Sequence, residues 1–172
     1  MVCKIAFLAL ALSGGFFLSC QTEKPHTERN WSSPNNGFQI RLQVFPRFNG
    51  WDYEFESKRR DSEEWNTALV FLYDGFHEMS QDQIKFVDQN TAYIFLGWKI
   101  AVTSDAGKSW AEWDGEKDLD GWTCCNYSLI RSVDLDRSGN GRMKLDFYLD
   151  EKKKDFLILQ TSNYGKNWRK EY

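Results

Sequence analysis

The chain contains few residues of the kinds that build disulfide scaffolds, metal centres or nucleic-acid interfaces. It has 4 cysteines, 2 histidines and 3 prolines in 172 residues, and its formal net charge is −3. Neither His26 nor His77 stands at a spacing typical of a metal site or of a Ser-His-Asp triad. A nucleic-acid interface needs clustered lysine and arginine, which an acidic chain does not favour. We therefore expect no metal, no cofactor and no nucleic-acid partner.

The first 20 residues are typical of a secretory leader. Lys4 supplies a positive charge, and residues 5–18 are apolar and uncharged. This stretch is shorter than the roughly 20 residues that a membrane-spanning helix needs, which favours a cleaved signal over an anchor. Residues 17–20, FLSC, resemble the bacterial lipobox, in which the cysteine becomes linked to diacylglycerol. The family usually has leucine where Phe17 stands, and an ordinary signal peptide is the alternative interpretation.

The lipobox resemblance implies a lipid-anchored protein of the bacterial envelope. A signal peptide would occupy residues 1–19, and Cys20 would carry the lipid that contacts the bilayer. Residues 20–36 would form a tether to a folded domain at residues 37–172. Gln21 follows the cysteine, where aspartate would favour retention in the inner membrane. We therefore expect an outer-membrane protein that faces the periplasm.

The mature chain would keep two cysteines, because Cys3 is removed with the leader and Cys20 is lipidated. These two, Cys124 and Cys125, are adjacent in a loop-like stretch. Either they pair with each other, or one is buried and the other exposed on a strand. Neither alternative provides a disulfide framework, so packing must hold the domain together.

Strand patterns dominate the chain after the leader. Aromatic residues make up 16% of the sequence, which favours strands over helices. Residues 38–44 and 51–56 alternate apolar and polar side chains, the period-2 pattern of half-buried strands. Residues 68–73 are apolar at successive positions, which predicts a strand covered on both faces. The sequence thus predicts an antiparallel meander in this first part.

The second part of the chain contains an internal repeat. Each copy has three strand-like segments, a patterned turn and a short fourth segment. The segments of the first copy are residues 83–88, 91–98, 99–105 and 111–113, and those of the second are residues 128–136, 142–150, 155–162 and 168–172. A four-stranded antiparallel meander of this kind is the building block of a propeller blade.

The patterned turns are TSDAGKSW at residues 103–110 and TSNYGKNW at residues 161–168. Both resemble the Asp-box, S/T-x-D-x-G-x-x-W, of sialidases and other blade-repeat proteins, where the motif joins the third and fourth strands of a blade. The resemblance implies structural roles for Thr103, Asp105, Gly107 and Trp110 in the first turn, and for Thr161, Asn163, Gly165 and Trp168 in the second. Aspartate or asparagine accepts hydrogen bonds from the turn, and glycine permits positive φ.

Chain length limits the number of blades. Removal of residues 1–19 from a chain of 172 leaves 153 residues, which is enough for about three blades of 40–45 residues. Closed propellers have about 4–8 blades. We therefore expect an all-β fold of antiparallel four-stranded meanders, as an incomplete propeller or a sandwich-like stack of about three small sheets.

Residues 134–141, DLDRSGNG, allow two interpretations. The alternating Asp134, Asp136, Ser138 and Asn140 resemble the start of a calcium loop. The EF-hand loop also needs a glutamate at its twelfth position, where this chain has Leu145. Because the segment lies between two strand patterns, a hairpin turn is the better interpretation.

No catalytic set accompanies the Asp-box resemblance. The arginine triad and the nucleophilic Tyr/Glu pair of sialidases cannot be placed in this sequence, so we expect a protein that is not an enzyme. Our leading hypothesis is a binding lipoprotein with a protein partner in the envelope or entering it. Small acidic lipoproteins of this design resemble immunity proteins that neutralise toxins delivered into the periplasm. The predicted contact surface lies near the first Asp-box-like turn, and its residues are Glu116, Asp118, Asp120 and Trp122.

Two alternative functions stay open at this point. One is a reduced sialidase-like glycosidase or a glycan-binding protein, which would need an arginine cluster to hold a substrate carboxylate. The other is an assembly factor for a membrane complex, like the Asp-box propellers of photosynthetic membranes. The arginines are scattered over predicted turns and strand edges at positions 41, 47, 59, 60, 131, 137 and 142.

Overall fold

The computed structural model describes residues 24–119, 129–148 and 154–171. Its strands form three separate antiparallel sheets of four strands each, and none of the three closes into a barrel. The predicted all-β class, with about three small sheets, is confirmed. Within the described part, no helix is long and apolar enough to cross a membrane.

Sheet 1 is a meander in the order β1-β2-β3-β4. Its strands are β1 (Thr27–Ser32), β2 (Phe38–Arg47), β3 (Gly50–Arg59) and β4 (Asn66–Tyr73). A short 3-10 turn at Pro34–Asn36 joins β1 to β2. Part of the predicted tether belongs to the fold, because Thr27–Ser32 pairs with β2 and Pro34–Asn36 forms the turn between the two strands. Only one side chain of β1, Trp31, packs against the core.

Sheets 2 and 3 correspond to the two copies of the repeat. Sheet 2 contains β5 (Ile84–Phe86), β6 (Ala92–Leu96), β7 (Lys99–Thr103) and β8 (Ala111–Asp114). Sheet 3 contains β9 (Leu129–Leu135), β10 (Gly141–Tyr148), β11 (Lys154–Thr161) and β12 (Arg169–Lys170). A 3-10 turn at Gln81–Gln83 precedes β5, and a one-turn helix, α1 (Gly115–Asp118), follows β8.

Sheet 2 lies between the other two sheets and is buried on both faces. One face of β6 carries Ile94 and Leu96, which pack into a core shared with sheet 1. The opposite face carries Tyr93 and Phe95, which pack into a core shared with sheet 3. Every residue of β6 is buried, as expected for the continuous apolar run of a central layer.

The strand predicted to be covered on both faces is β4, and this prediction is wrong. Leu69 and Phe71 are buried in the core, whereas Val70 and Leu72 are 46% and 56% exposed. β4 is an edge strand of the outer sheet, so nothing in the described part of the chain packs over its second face. The two-sided burial belongs to β6 instead.

The stack has two ends, which carry different features. The box end is defined by the patterned turns at residues 103–110 and 161–168. The entry end is where β1 begins, and it also carries the β2–β3 turn at residues 48–49 and the β6–β7 turn at residues 97–98. The helix α1 lies at the entry end, because it follows β8 and its Gly115 N–H donates to the Trp98 carbonyl at 2.9 Å.

Candidate functional site

The first patterned turn is closed by the side chains of its own residues. Thr103 Oγ1 accepts from the Gly107 N–H at 3.0 Å and donates to Asp105 Oδ1 at 2.9 Å. The Asp105 carboxylate also accepts from the Ser109 N–H at 2.9 Å and from the Ser109 hydroxyl at 2.6 Å. Ala106 and Gly107 both have positive φ, 58° and 77°. The turn is thus a small hydrogen-bonded ring in which the carboxylate is the main acceptor.

The second patterned turn repeats this arrangement with an amide in place of the carboxylate. Thr161 Oγ1 accepts from the Gly165 N–H at 3.1 Å and donates to Asn163 Oδ1 at 3.0 Å. Asn163 Oδ1 accepts from the Asn167 N–H at 3.1 Å. Tyr164 and Gly165 again have positive φ, 58° and 73°. The uncharged Asn163 side chain therefore accepts most of the hydrogen bonds that correspond to those of Asp105 in the first turn.

Asp105 is held in its charged form by this ring. Partial burial of the carboxyl by itself raises its pKa, but hydrogen bonds from the Ser109 hydroxyl and N–H and from Thr103 outweigh that effect. The net result is a pKa below the ordinary value for aspartate. Asp105 is therefore charged at neutral pH, and its charge stabilises the turn.

Each patterned turn docks on the sheet that precedes it. In the first, the Trp110 indole N–H donates to Ser57 Oγ at 3.1 Å, and the Ser57 hydroxyl donates to the Gly107 carbonyl at 2.9 Å. In the second, a side chain at Gly165 would clash with Val102 of sheet 2, at 2.6 Å. Trp110 and Trp168 pack against the two hydrophobic cores, so the two turns help to hold the sheets together. Most of their polar groups are engaged in hydrogen bonds within the turns.

The acidic segment that follows β8 lies at the entry end, so its predicted placement near the first patterned turn is wrong. The two are consecutive along the chain, but the length of β8 separates them, so they lie at opposite ends of sheet 2. Asp120 and Trp122, which were predicted as contact residues, lie outside the described residues. The same holds for Cys20 and for the pair Cys124 and Cys125.

The helix α1 is fixed by one buried carboxylate. Asp114 is 4% exposed and caps α1 by accepting from the Glu116 N–H at 3.1 Å. It also forms ion pairs with Lys99 at 3.3 Å and with Lys117 at 3.4 Å. Asp118 turns back to accept from the Asp114 N–H at 2.9 Å. Glu116 points outward and is exposed, so α1 displays it from a rigid support.

An open cleft of about 330 Å³ lies at the same end. Segments from all three sheets line it, with Tyr73, His77 and Glu78 on one side and Phe95, Ile130 and Arg131 on the other. The Tyr53 hydroxyl fixes the His77 backbone by donating to its carbonyl at 2.8 Å and accepting from its N–H at 2.5 Å. Burial raises the pKa of Tyr53, so this hydroxyl keeps its proton. Sequence reasoning missed the cleft, because its walls come from distant segments.

The arginines do not gather around this cleft. Arg41 pairs with Glu56 at 2.6 Å across sheet 1, and Arg142 pairs with Glu171 at 2.5 Å on sheet 3. The remaining ion pairs of the scattered arginines join Arg47 to Asp52, Arg59 to Asp61 and Arg131 to Asp146. These five of the seven scattered arginines are therefore spread over two sheets, and each of the five is engaged by a carboxylate.

Residues 136–140 form the turn between the antiparallel strands β9 and β10, so the predicted hairpin is present. The Asp136 carboxylate accepts from the Ser138 N–H at 2.8 Å and from the Asn140 N–H at 2.9 Å. Gly139 takes a φ of 83°, which suits glycine at this position. In the part of the chain that the structure describes, no three His, Cys, Asp or Glu side chains gather as metal ligands.

Comparison with known proteins gives no relative for this chain: no family model, no curated protein and no solved structure matches it. The resemblance of residues 103–110 and 161–168 to the Asp-box thus rests on those residues alone. The surface at the entry end is the feature from which a function can be argued.

Proposed function

We propose that this chain is a non-enzymatic lipoprotein of a bacterial envelope that binds a protein partner at its entry end. Cys20, after a signal peptide at residues 1–19, would hold it to the outer membrane on the periplasmic side. Within that class, we propose an immunity protein that neutralises a toxin acting in the periplasm. The Asp-box-like turns at the box end would serve the fold and not the binding.

The observation that carries this proposal is the rigid display of acidic side chains on α1. Asp114 fixes the helix through its cap and two lysine contacts, so Glu116 needs little ordering when a partner binds. The neighbouring cleft adds apolar walls beside these charges. Acidic surfaces speed association with basic partners, and aromatic side chains at an interface supply binding energy, which is the role predicted for Trp122. A basic protein surface is thus the partner that fits.

The paired arginines support binding over glycoside hydrolysis. A glycosidase of the sialidase type needs several arginines free to hold one substrate carboxylate. Arg41 and Arg142 lie on different sheets, and each faces a carboxylate of its own. Freeing three such arginines at one place would require breaking at least three ion pairs.

The test is capture of the partner by charge variants of the full-length lipoprotein, purified in mild detergent and exposed to envelope extract. The test variant carries Glu116→Lys and Asp120→Lys, and it spares Asp118 because that side chain supports α1. The control carries Glu63→Lys and Glu64→Lys, the same charge change on exposed residues at the box end.

We expect the wild type and the control to retain one stoichiometric protein and the test variant to bind it at least tenfold more weakly. Equal binding by all three proteins would contradict the proposed surface. Hydrolysis of a fluorogenic sialoside by the wild type, lost in Arg131→Ala, would favour the glycosidase alternative.

A further inference from the structure

Exposed aromatic side chains cluster at the entry end of sheet 1. The ring centroids of His26 and Trp51 are 5.0 Å apart, those of His26 and Phe76 are 5.3 Å apart, and those of Trp51 and Phe76 are 5.1 Å apart. Phe76 is 47% exposed, although it belongs to this cluster. Trp51 is half-buried against the core, and the exposed rings of His26 and Phe76 pack on it, so the group presents an aromatic surface at this end.

Phe48 extends this patch beyond the end of the sheet. It sits at the turn between β2 and β3, where Arg47 pairs in register with Gly50, and its side chain is fully exposed. Single exposed apolar residues are ordinary, but several rimmed by polar groups at one end of a domain mark an interaction site. We call Phe48, Trp51, Phe76 and His26 the aromatic tip.

The charged side chains at the base of the aromatic tip favour contact with a membrane surface of low net charge. Arg47, at the base of the turn, forms an ion pair with Asp52 on the neighbouring strand. The Arg47 cation at the base of the turn is therefore neutralised by a carboxylate. Tryptophan combines an apolar ring with a polar nitrogen and is enriched where lipid headgroups meet water.

The path of the chain places the tip beside the bilayer. The His26 N–H donates to the Val44 carbonyl at 2.7 Å, so β1 starts within the tip. His26 follows the proposed lipid-bearing Cys20 by six positions, which span at most about 20 Å when fully extended. A lipid on Cys20 thus holds the aromatic tip within about 20 Å of the membrane surface.

We propose that the aromatic tip inserts into the headgroup region of the membrane and orients the domain on it. This inference rests on the proposed lipid anchor at Cys20 and goes beyond it, because a tether alone would leave the domain free to rotate. The tip is a second contact with the bilayer, and two weak contacts on one protein reinforce each other. The surface of α1 then lies at the membrane-proximal end of the stack.

The experiment uses the full-length lipoprotein reconstituted in vesicles of phosphatidylethanolamine and phosphatidylcholine, with or without a lipid that carries a nitroxide quencher near its headgroup. Phe48→Trp adds a fluorophore at the tip. Thr67→Trp adds one to an exposed, uncharged position of the same sheet at the box end. Emission of the wild-type protein is subtracted from that of each variant.

We expect the nitroxide lipid to remove at least three times as much of the emission added at position 48 as of that added at position 67. The variant Phe48→Asp should stay in the vesicle fraction through its lipid. The nitroxide lipid should quench its tryptophan emission less than that of the wild type, because Trp51 no longer reaches the headgroups. Equal quenching at positions 48 and 67 in vesicle-bound protein overturns the tip and leaves the anchor intact. Release of the wild type from vesicles overturns both the membrane contact of the tip and the lipid anchor. A failure to capture a partner, by itself, contradicts only the proposed function.

Discussion

Replacing Asp105 with alanine tests whether the first patterned turn supports the fold. The carboxylate accepts hydrogen bonds from Thr103 Oγ1, from the Ser109 N–H and from the Ser109 hydroxyl. Hydrogen bonds to a charged group contribute about 1.5–3 kcal/mol each when a partner is deleted. Because this turn is largely in contact with water, we expect a total loss of about 2 kcal/mol for Asp105→Ala. For a chain of this size that corresponds to a melting temperature lower by about 6 °C.

The second turn provides a matched comparison. Asn163 accepts two of the corresponding hydrogen bonds, both without charge, so Asn163→Ala should cost about 1 kcal/mol. Asp105→Asn converts the first turn to the chemistry of the second, and it should cost less than Asp105→Ala. The expected order of melting temperatures is therefore wild type, then Asp105→Asn, then Asp105→Ala.

The same carboxylate predicts a dependence on pH. The folded-state pKa of Asp105 is lowered, so its contribution is present above the ordinary aspartate pKa and is lost as the pH falls through the folded-state value. The difference in stability between wild type and Asp105→Asn should therefore shrink below about pH 4. Urea unfolding followed by tryptophan fluorescence at pH 7 and pH 3 measures the difference in unfolding free energy between the two proteins at each pH. An Asp105→Ala protein with an unchanged midpoint at pH 7 would refute the assigned role of the turn.

Three further predictions concern the docking of the turns, the anchor and the hairpin. Ser57→Ala removes the acceptor for the Trp110 indole and a donor to Gly107, so it should lower unfolding stability by about 1–2 kcal/mol in urea titrations. Cys20→Ser should move the protein from the detergent phase to the aqueous phase after Triton partitioning, and identical partitioning would count against lipidation. Millimolar calcium should leave the melting temperature unchanged, since Asp136 is engaged by its own turn; a shift of several degrees that Asp134→Ala abolishes would contradict the hairpin interpretation.

The repeat was readable in the sequence because its signals are local. The period-2 pattern of β10 and the glycines at 107 and 165 act within a few residues, so they predict strands and turns without knowledge of the neighbours. β1 was missed for the converse reason. Its sequence TERNWS carries a single apolar residue, Trp31, and the strand forms because β2 offers an edge to pair with.

Predictions about faces and sites depend on packing between distant segments. Residues 68–73 and the strand β6 are both apolar runs, and the sequence contains no local signal that one is an edge strand and the other central. The cleft at the entry end is assembled from His77, Ile130 and their neighbours, which are far apart in the chain. The sequence could single out individual acidic residues such as Glu116. It could not predict that they lie at the end of the stack opposite the patterned turns.

The docking of each turn on the preceding sheet gives the stack a direction of growth. Val102, which precedes Thr103 of the first turn, packs against Gly165 of the second turn. The residue at the corresponding position of sheet 3, before Thr161, is Gln160, and its side chain is exposed. A fourth unit added after residue 172 would have its turn aimed at Gln160, on a face that also carries Lys144 and the paired Asp146. An engineer who wished to add such a unit would therefore first have to make the face around Gln160 apolar.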